Sequence, residues 1–141
     1  NILGVNEAFK IIIIGAGNMG QALANYTNFE KRGFKLIGIF DINPNLIGKK
    51  IRDVEIMHLD SLDRFVAENQ VDIAILCVPY ENTPAVADKV ARLGVKGLWN
   101  FSPMDLKLPY DVIIENVHLS DSLMVLGYRL NEMRKSQRNK S

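Results

Sequence analysis

Apolar runs and amphipathic stretches alternate along most of the chain. Residues 10–14 form a dense β-branched run that is typical of a buried strand, and residues 35–40 form a second one. The segment between them opens on glycines, so strand, tight turn and helix follow one another directly. The helix is indicated by apolar residues at helical spacing, namely Met19, Leu23, Tyr26 and Phe29.

The same alternation continues to the end of the chain. Pro79 supplies a strand stop, Gly94 supplies a helix stop, and the INPN segment after Asp41 is turn chemistry. We predict a third strand near residues 54–57, a helix that begins at Asp60 or Ser61, a strand at residues 73–78, a helix at 84–93, strands at 97–99 and 112–115, and a last helix at 119–133.

This order of elements predicts an α/β fold. Right-handed crossovers between parallel strands place helices on both faces, so we expect a doubly wound Rossmann fold with a mostly parallel sheet of about six or seven strands. We expect residues 10–118 to form this domain, residues 119–135 a C-terminal helix and residues 136–141 a disordered tail. Residues 1–9 resemble the end of an interdomain helix or linker, so we expect the chain to be part of a longer protein.

The composition narrows the function classes. The 17 Lys and Arg residues nearly balance the 16 Asp and Glu residues, so no global field favours nucleic acid or an anionic membrane. The apolar run at residues 11–14 is far too short to span a bilayer. Cys77 is the single cysteine of the sequence, which excludes an internal disulfide and fits a reducing cytoplasm.

Three glycines carry the strongest chemical signal. Gly15, Gly17 and Gly20 form a G-x-G-x-x-G motif that follows a strand directly and opens a helix directly. The first permits the tight turn, the second lets main-chain amides approach a pyrophosphate, and the third lets the helix lie on the strand. Asn18 and Met19 then present N–H groups at the positive end of the helix dipole. The motif predicts dinucleotide binding; a turn that merely joins strand to helix is the alternative.

An acidic residue, Asp41, ends the second strand. We expect its carboxylate to accept hydrogen bonds from the adenosine ribose hydroxyls, whereas a 2′-phosphate there would meet a like charge. The sequence therefore favours NAD and NADH over the phosphorylated cofactor. Lys49 and Lys50 lie close enough to Asp41 in sequence that binding of NADP stays open as an alternative. A turn role for Asp41 is a further alternative.

The segments at residues 77–80 and 100–103 lie at the ends of the fourth and fifth predicted strands. Both should line the same cofactor, because ligands bind at the carboxyl ends of parallel strands. Pro79 also stops a strand, Phe101 also suits a core aromatic, and we expect Cys77 to pack rather than to react. The candidate cofactor-binding residues are Gly15, Ala16, Gly17, Asn18, Met19, Gly20, Asp41, Ile42, Val78, Pro79, Tyr80, Asn100, Phe101, Ser102 and Pro103.

The last predicted helix has a strict apolar rhythm. Leu119, Leu123, Leu126, Leu130 and Met133 recur at spacings of 4, 3, 4 and 3 residues, the a/d pattern of a helix that packs on a partner helix. Packing on the chain's own sheet is the alternative. We expect this helix to form a homodimer contact.

The two histidines, His58 and His118, are isolated from each other and have no evident acidic partner at short spacing. We expect both to be structural rather than catalytic. The sequence shows no cluster of metal-ligand type, so no metal is expected.

Five longer segments resemble those of a known family. They are IIIIGAGNMGQALANY, GFKLIGIFDINPNLIGKKI, AILCVPYENTPAVADKV, GVKGLWNFSPMDLKLP and NVHLSDSLMVLGYRL. Between about residues 10 and 130, the chain resembles the cofactor domain of the Rex family of redox-sensing transcriptional repressors. The pairing of FD-x-N-P with the VP and NF-x-P segments is much more specific than the glycine motif.

The resemblance implies a bacterial homodimer that senses the balance of NADH and NAD. An amino-terminal winged-helix domain, which this sequence does not include, would bind operator DNA, and NADH would favour an arrangement that releases the DNA. The last helix would be exchanged between subunits. No membrane partner is implied, and the protein would act in the cytoplasm.

The resemblance also implies a role for Tyr26, near the nicotinamide end and in the redox-dependent switch; a packed helix residue is the alternative. Two positions depart from the family pattern. His118 stands where an aspartate would pair with the Tyr26 hydroxyl across the dimer, and Tyr80 stands where a small residue usually follows VP. These departures put the sensing chemistry in doubt but leave cofactor binding untouched.

Other function classes share the fold. A dehydrogenase fragment would need a substrate domain and an acid or base near the nicotinamide, and the sequence offers neither convincingly. A coenzyme A-binding domain would place an adenosine 3′-phosphate above Asp41, which is unfavourable because the phosphate and the carboxylate carry like charge. We therefore expect a sensor rather than an enzyme.

Overall fold

Strands and helices alternate through the computed structural model, which describes residues 8–26 and 28–140 apart from the side chains of residues 119–122 and 140. Residues 1–7 of the predicted linker and residue 141 lie outside the described residues. The strands are β1 (Phe9–Ile14), β2 (Phe34–Asp41), β3 (Lys50–Ile51), β4 (Val54–His58), β5 (Ile73–Leu76), β6 (Gly97–Asn100) and β7 (Ile113–Asn116), and the helices are α1 (Asn18–Ala24), α2 (Asn28–Lys31), α3 (Leu62–Glu68), α4 (Thr83–Arg92) and α5 (Leu119–Lys140).

Within the described part of the chain, seven strands form one sheet in the order β3-β4-β2-β1-β5-β6-β7. Every neighbouring pair is parallel except β3 and β4. Strand β1 lies between β2 and β5, so Ile14 pairs with Phe40 on one side and with Leu76 on the other. The crossover from β4 to β5 reverses the direction in which strands are added. The doubly wound prediction is confirmed.

Alternate residues of the central strands fill two separate cores. In β1, Ile12 and Ile14 face one core, which α3 and α4 cover with residues such as Leu62 and Val90. Ile11 and Ile13 face the other core, together with Ala24 at the end of α1. A sheet that is buried on both faces needs apolar residues at every position of its middle strands, which explains the unbroken isoleucine run.

The bounds of several predicted elements differ from those in the structure, and the larger differences are at β3 and in the first two predicted helices. Lys50–Ile51 form the unpredicted strand β3, which pairs antiparallel with β4 through a hairpin at Arg52 and Asp53, both with positive φ (49° and 70°). The first predicted helix is two helices, because α1 ends at Ala24. Helix α3 begins at Leu62, after a 3-10 turn whose Asp60 N–H is capped by His58 Nδ1 at 3.0 Å.

Helix α5 is longer than predicted. It continues to Lys140, so the described part of the predicted disordered tail, residues 136–140, is helical. Arg, Lys and Gln are good helix formers, and no glycine or proline follows Gly127 to stop the helix. Every described side chain of α5 is exposed, so the helix projects from the domain over about 33 Å.

Among the described residues, no helix is both long and apolar enough to cross a membrane. The same residues contain no group of three or more His, Cys, Asp and Glu side chains that could share a metal ion.

Candidate functional site

The glycine turn brings β1, β5 and α1 closer together than side chains would permit. Gly15 has a φ of +105°, and a Cβ at this position would lie 2.5 Å from the carbonyl oxygen of Cys77. A Cβ at Gly20 would lie 1.8 Å from the carbonyl oxygen of Gly15. Both positions therefore require glycine for the packing that the motif predicted.

Gly17 has a different environment. A Cβ there would meet nothing within 4 Å, so the space in front of the turn is open to a ligand. Gly17 caps α1 without a side-chain hydrogen bond, and Asn18 and Met19 of the first turn are exposed. The turn itself is held from behind, where Gln21 Nε2 donates to the carbonyl oxygen of Ala16 at 2.8 Å.

Asp41 is tied to the glycine turn, a contact that sequence reasoning missed. Its Oδ2 accepts the main-chain N–H of Ala16 at 2.6 Å, and its Oδ1 accepts that of Asn43 at 2.8 Å. A carboxylate has about four lone-pair sites, so both oxygens keep capacity for a ligand hydroxyl. Asp41 thus shapes the turn and also presents negative charge beside it.

The register places the nearby lysines away from Asp41, because Lys50 pairs with Glu55 at the start of β4 whereas Asp41 pairs with His58 at its end. Lys50 belongs to edge strand β3, and β4 lies between that strand and β2. Ile42, which follows Asp41, is 61% exposed and forms an apolar surface next to the carboxylate.

The end of β5 supplies the next part of the site. Val78 is half-buried, while Pro79 and Tyr80 are exposed beside the turn that leads to α4. Burial raises the pKa of the Cys77 thiol to about 12, so this thiol stays protonated at physiological pH. That state fits packing rather than nucleophilic chemistry.

The four candidate residues at the end of β6 differ in burial. Asn100 and Ser102 are buried, and both side chains bond within the protein. Phe101 is half-buried with its ring 4.6 Å from that of Trp99 in an edge-on contact, and Pro103 is exposed. The prediction that these four residues contact a cofactor stays a prediction, and the hydrogen bonds of Asn100 and Ser102 show a structural role that the sequence did not reveal.

Tyr26 is separated from the other candidate residues. It follows the carboxyl end of α1, with its ring 4.9 Å from Phe29, and it lines an apolar groove of about 490 Å³. The floor of this groove includes the first residues of β5, β6 and β7, namely Ile73, Gly97 and Ile113. The glycine turn lies at the opposite ends of the strands, so one chain does not bring Tyr26 to it.

Each histidine lies near an acidic residue. His118 contacts Asp105 through Nε2, and this residue approaches from a loop 13 residues away, so the expectation of no acidic partner at short spacing is not contradicted there. His58 Nδ1 accepts the main-chain N–H of Asp60, whose Oδ2 lies 3.5 Å from the same nitrogen, so the proximity of Asp60 comes from the cap. The contact of His118 lies at the base of α5.

Together, the strand ends form a site suited to a dinucleotide. The open turn at Gly17 offers main-chain donors for a diphosphate, Asp41 offers acceptors for a sugar, and the exposed edge at Pro79 and Tyr80 continues the crevice. The site lies where the order of strands reverses, which is the usual ligand position in open α/β sheets.

Comparisons with known proteins agree with this geometry. The family model described as CoA binding domain matches residues 6–104. A relative from Thermoanaerobacter sp. (strain X514), described as redox-sensing transcriptional repressor Rex, is 61% identical over 131 residues, which are 93% of this chain and 58% of that protein. The chain therefore spans less than two thirds of the length of this relative.

Solved structures show the same similarity. The crystal structure of RSP, a Rex-family repressor, superposes with a TM-score of 0.88 at 57% identity and covers 99% of this chain and 67% of that one. RSP in complex with beta-NADH gives a TM-score of 0.88 at 58% identity, over 97% of this chain and 66% of that one. RSP in complex with beta-NAD+ and operator DNA gives a TM-score of 0.86 at 57% identity, over 99% of this chain and 64% of that one.

The different surroundings of two glycines lead to a stability prediction. Gly20→Ala should lower the melting temperature of the chain by more than about 5 °C, because the new methyl group overlaps the Gly15 carbonyl and α1 must shift. Gly17→Ala should change it by less than about 2 °C, since its Cβ enters open space. Thermal unfolding followed by circular dichroism measures both, and equal losses would contradict the tight packing at Gly20.

Proposed function

Because the chain belongs to the Rex family of redox-sensing transcriptional repressors, within the wider family of CoA-binding domains, we propose that it is the NAD(H)-sensing part of such a repressor. The relative that binds beta-NADH, RSP, is 58% identical to it. The proposal extends that binding to this chain through the geometry of its own residues.

The observation that carries the proposal is the open glycine turn beside the Asp41 carboxylate. Main-chain N–H groups after Gly17 would hold the diphosphate, where the helix dipole favours an anion. Asp41 would accept the ribose hydroxyls while it keeps its bond to the Ala16 N–H. The bound cofactor would supply a redox-dependent charge and ring shape, and the protein would supply the binding.

The same carboxylate argues against related ligands. A phosphate about 4 Å from Asp41, at an effective dielectric constant near 20, would cost ~4 kcal/mol before screening and relaxation. NADPH has such a phosphate at the adenosine 2′ position, and coenzyme A has one at the 3′ position. We therefore favour NAD and NADH as ligands.

For the whole protein, we propose a repressor whose NADH-bound form releases operator DNA. RSP has been crystallised with beta-NAD+ and operator DNA. In this proposal, an amino-terminal winged-helix domain makes the DNA contacts in the cytoplasm. Differential affinity for NADH in two dimer arrangements then shifts the population without any catalysed reaction.

The exposed apolar surfaces support a homodimer. Leu123 is 70% exposed and Leu126 is 55% exposed on α5, and contiguous exposed apolar side chains of this kind mark an interaction surface. The apolar groove at Tyr26 is uncovered on the same chain. We propose that a second copy covers both, with α5 as the exchanged helix, and that Tyr26 acts in sensing across this interface.

Ligand selection tests the proposed function directly. Calorimetric titration of the chain should show NADH binding at least about tenfold more tightly than NADPH or coenzyme A, because only NADH lacks the phosphate that Asp41 repels. Asp41→Ala should bring the NADH to NADPH ratio toward one. Wild-type chain that binds NADPH or coenzyme A as tightly as NADH would contradict the role of Asp41.

A second variant separates charge from shape. Gly17→Val places a branched side chain in the open space before the turn. It should therefore lower the affinities for NADH and NADPH by the same factor and leave the ratio of the two affinities unchanged. If Gly17→Val binds NADH like the wild-type chain, the diphosphate does not lie against this turn.

The homodimer has its own test. Sedimentation equilibrium should give a dimer, and Leu123→Glu or Leu126→Glu should weaken it at least about tenfold by placing a charge in the apolar interface. Asn131→Glu adds the same charge to a polar position of α5 and serves as the control. A wild-type monomer at tens of micromolar, or equal weakening by all three variants, would contradict the partner-helix role.

A further inference from the structure

Polar side chains at the carboxyl ends of β6 and β7 form a hydrogen-bonded row with Thr83 of α4, in which Asn116 is half-buried and the others are buried. Leu76, Asn100 and Asn116 stand in register on the three neighbouring strands. Asn100 and Thr83 are fully buried, and Ser102 is 3% exposed. Polar groups at this depth are costly unless each has a partner, so a part of the row cannot move alone without loss.

The row begins at the loop that follows β5. Thr83 Oγ1 lies 3.2 Å from the carbonyl oxygen of Pro79 and 2.8 Å from Ser102 Oγ. A hydroxyl has one proton and a carbonyl only accepts, so both contacts are satisfied when Thr83 donates to Pro79 and Ser102 donates to Thr83. Pro79 belongs to the edge that the proposed function places beside the cofactor.

The middle of the row fixes the orientation of two asparagines. The N–H of Ser102 donates to Asn100 Oδ1 at 2.9 Å. Asn100 Nδ2 donates to the carbonyl oxygen of Met104 at 2.8 Å and to Asn116 Oδ1 at 2.9 Å. Asn116 Oδ1 also accepts the N–H of Leu106 at 3.0 Å. Asn100 therefore acts as a double donor, and Asn116 acts as a double acceptor.

The row ends at the base of α5. Asn116 is the last residue of β7, and the N–H of Val117 donates to the carbonyl oxygen of Asn100 at 2.8 Å. Helix α5 begins at Leu119, two residues further on. The hydrogen bonds thus connect the loop beside the candidate cofactor site to the start of the proposed dimer helix.

We propose that Asn100 and Asn116 are positioning residues that couple cofactor binding at the β5 edge to the direction of α5. A shift of Pro79 moves the hydroxyl of Thr83 and then Ser102, and the two asparagines move with them because the buried Asn100 cannot lose its partners cheaply. This inference rests on the proposed function, since it needs NADH at the Pro79 edge and α5 in the dimer.

The coupling is measured as the ratio of dimer dissociation constants without and with saturating NADH, by sedimentation equilibrium of the chain. Wild-type chain should show a ratio that differs from one by at least about fivefold. Asn116→Ala removes the double acceptor, so it should still bind NADH and dimerise but should give a ratio within twofold of one, on the order of the measurement error. Asn116→Asp keeps both acceptor contacts and should keep the wild-type ratio.

Thr83→Val tests the other end of the row with a side chain of the same shape. It removes the hydroxyl between Pro79 and Ser102, so the ratio should again fall toward one. If Asn116→Ala does not fold, as judged by circular dichroism, the comparison of Thr83→Val with the wild-type chain decides alone. A purely structural role would lower stability in these variants but leave the ratio unchanged.

The outcomes separate this inference from the proposed function. Wild-type chain that fails to bind NADH or to dimerise overturns the proposed function, and the coupling with it. Wild-type chain that does both without any effect of NADH on the dimer overturns the coupling alone. A wild-type ratio in Thr83→Val, or in folded Asn116→Ala, overturns the role of the row.

Discussion

The close contact between Gly20 and the carbonyl of Gly15 sets the shape of the candidate site. Helix α1 reaches this position because no side chain stands between helix and turn, where a Cβ would lie 1.8 Å from the carbonyl oxygen. The turn then directs its free N–H groups outward past Gly17, and Asp41 holds it through the Ala16 N–H. The proposed anion binding, the proposed ligand selection and the position of the crevice all depend on that one packing.

Unequal covering of the sheet is the structural reason for the proposed homodimer. Helices α3 and α4 cover one face, while α1 and α2 leave an apolar groove open on the other. Helix α5 leaves Leu123, Leu126 and Leu130 exposed, and none of its residues lines the groove. A second copy would satisfy both surfaces at once, because an interface between identical chains buries the same patch twice. The hydrogen bonds of the polar row connect the start of α5 to the loop at Pro79, beside the candidate cofactor site.

The strands and the glycine turn were predictable from sequence because their causes are local. Unbroken isoleucines indicate a strand buried on both faces, and the need for glycine at Gly15 and Gly20 follows from a strand that turns directly into a helix. The β3–β4 hairpin was missed, since Arg52 and Asp53 adopt positive φ without glycine or asparagine to mark the turn. The end of α5 was misplaced because polarity was taken for disorder, although the residues are good helix formers.

The candidate site was less predictable where long-range contacts decide it. The inward orientation of Asn100 depends on Asn116, which a different strand supplies, and the contact of His118 with Asp105 spans 13 residues. The displacement of Tyr26 from the turn follows from the direction of α1, which spacing along one helix does not reveal. The contacts of residues that are fixed by packing between distant segments can be found only from the structure.

A crystal structure of the chain grown with NADH tests the central proposition most directly. The diphosphate should lie within about 3.2 Å of the main-chain nitrogens at residues 17–19, with the adenosine ribose hydroxyls on Asp41. An ordered NADH bound elsewhere, such as in the apolar groove at Tyr26, with the glycine turn empty or closed by side chains, would contradict it.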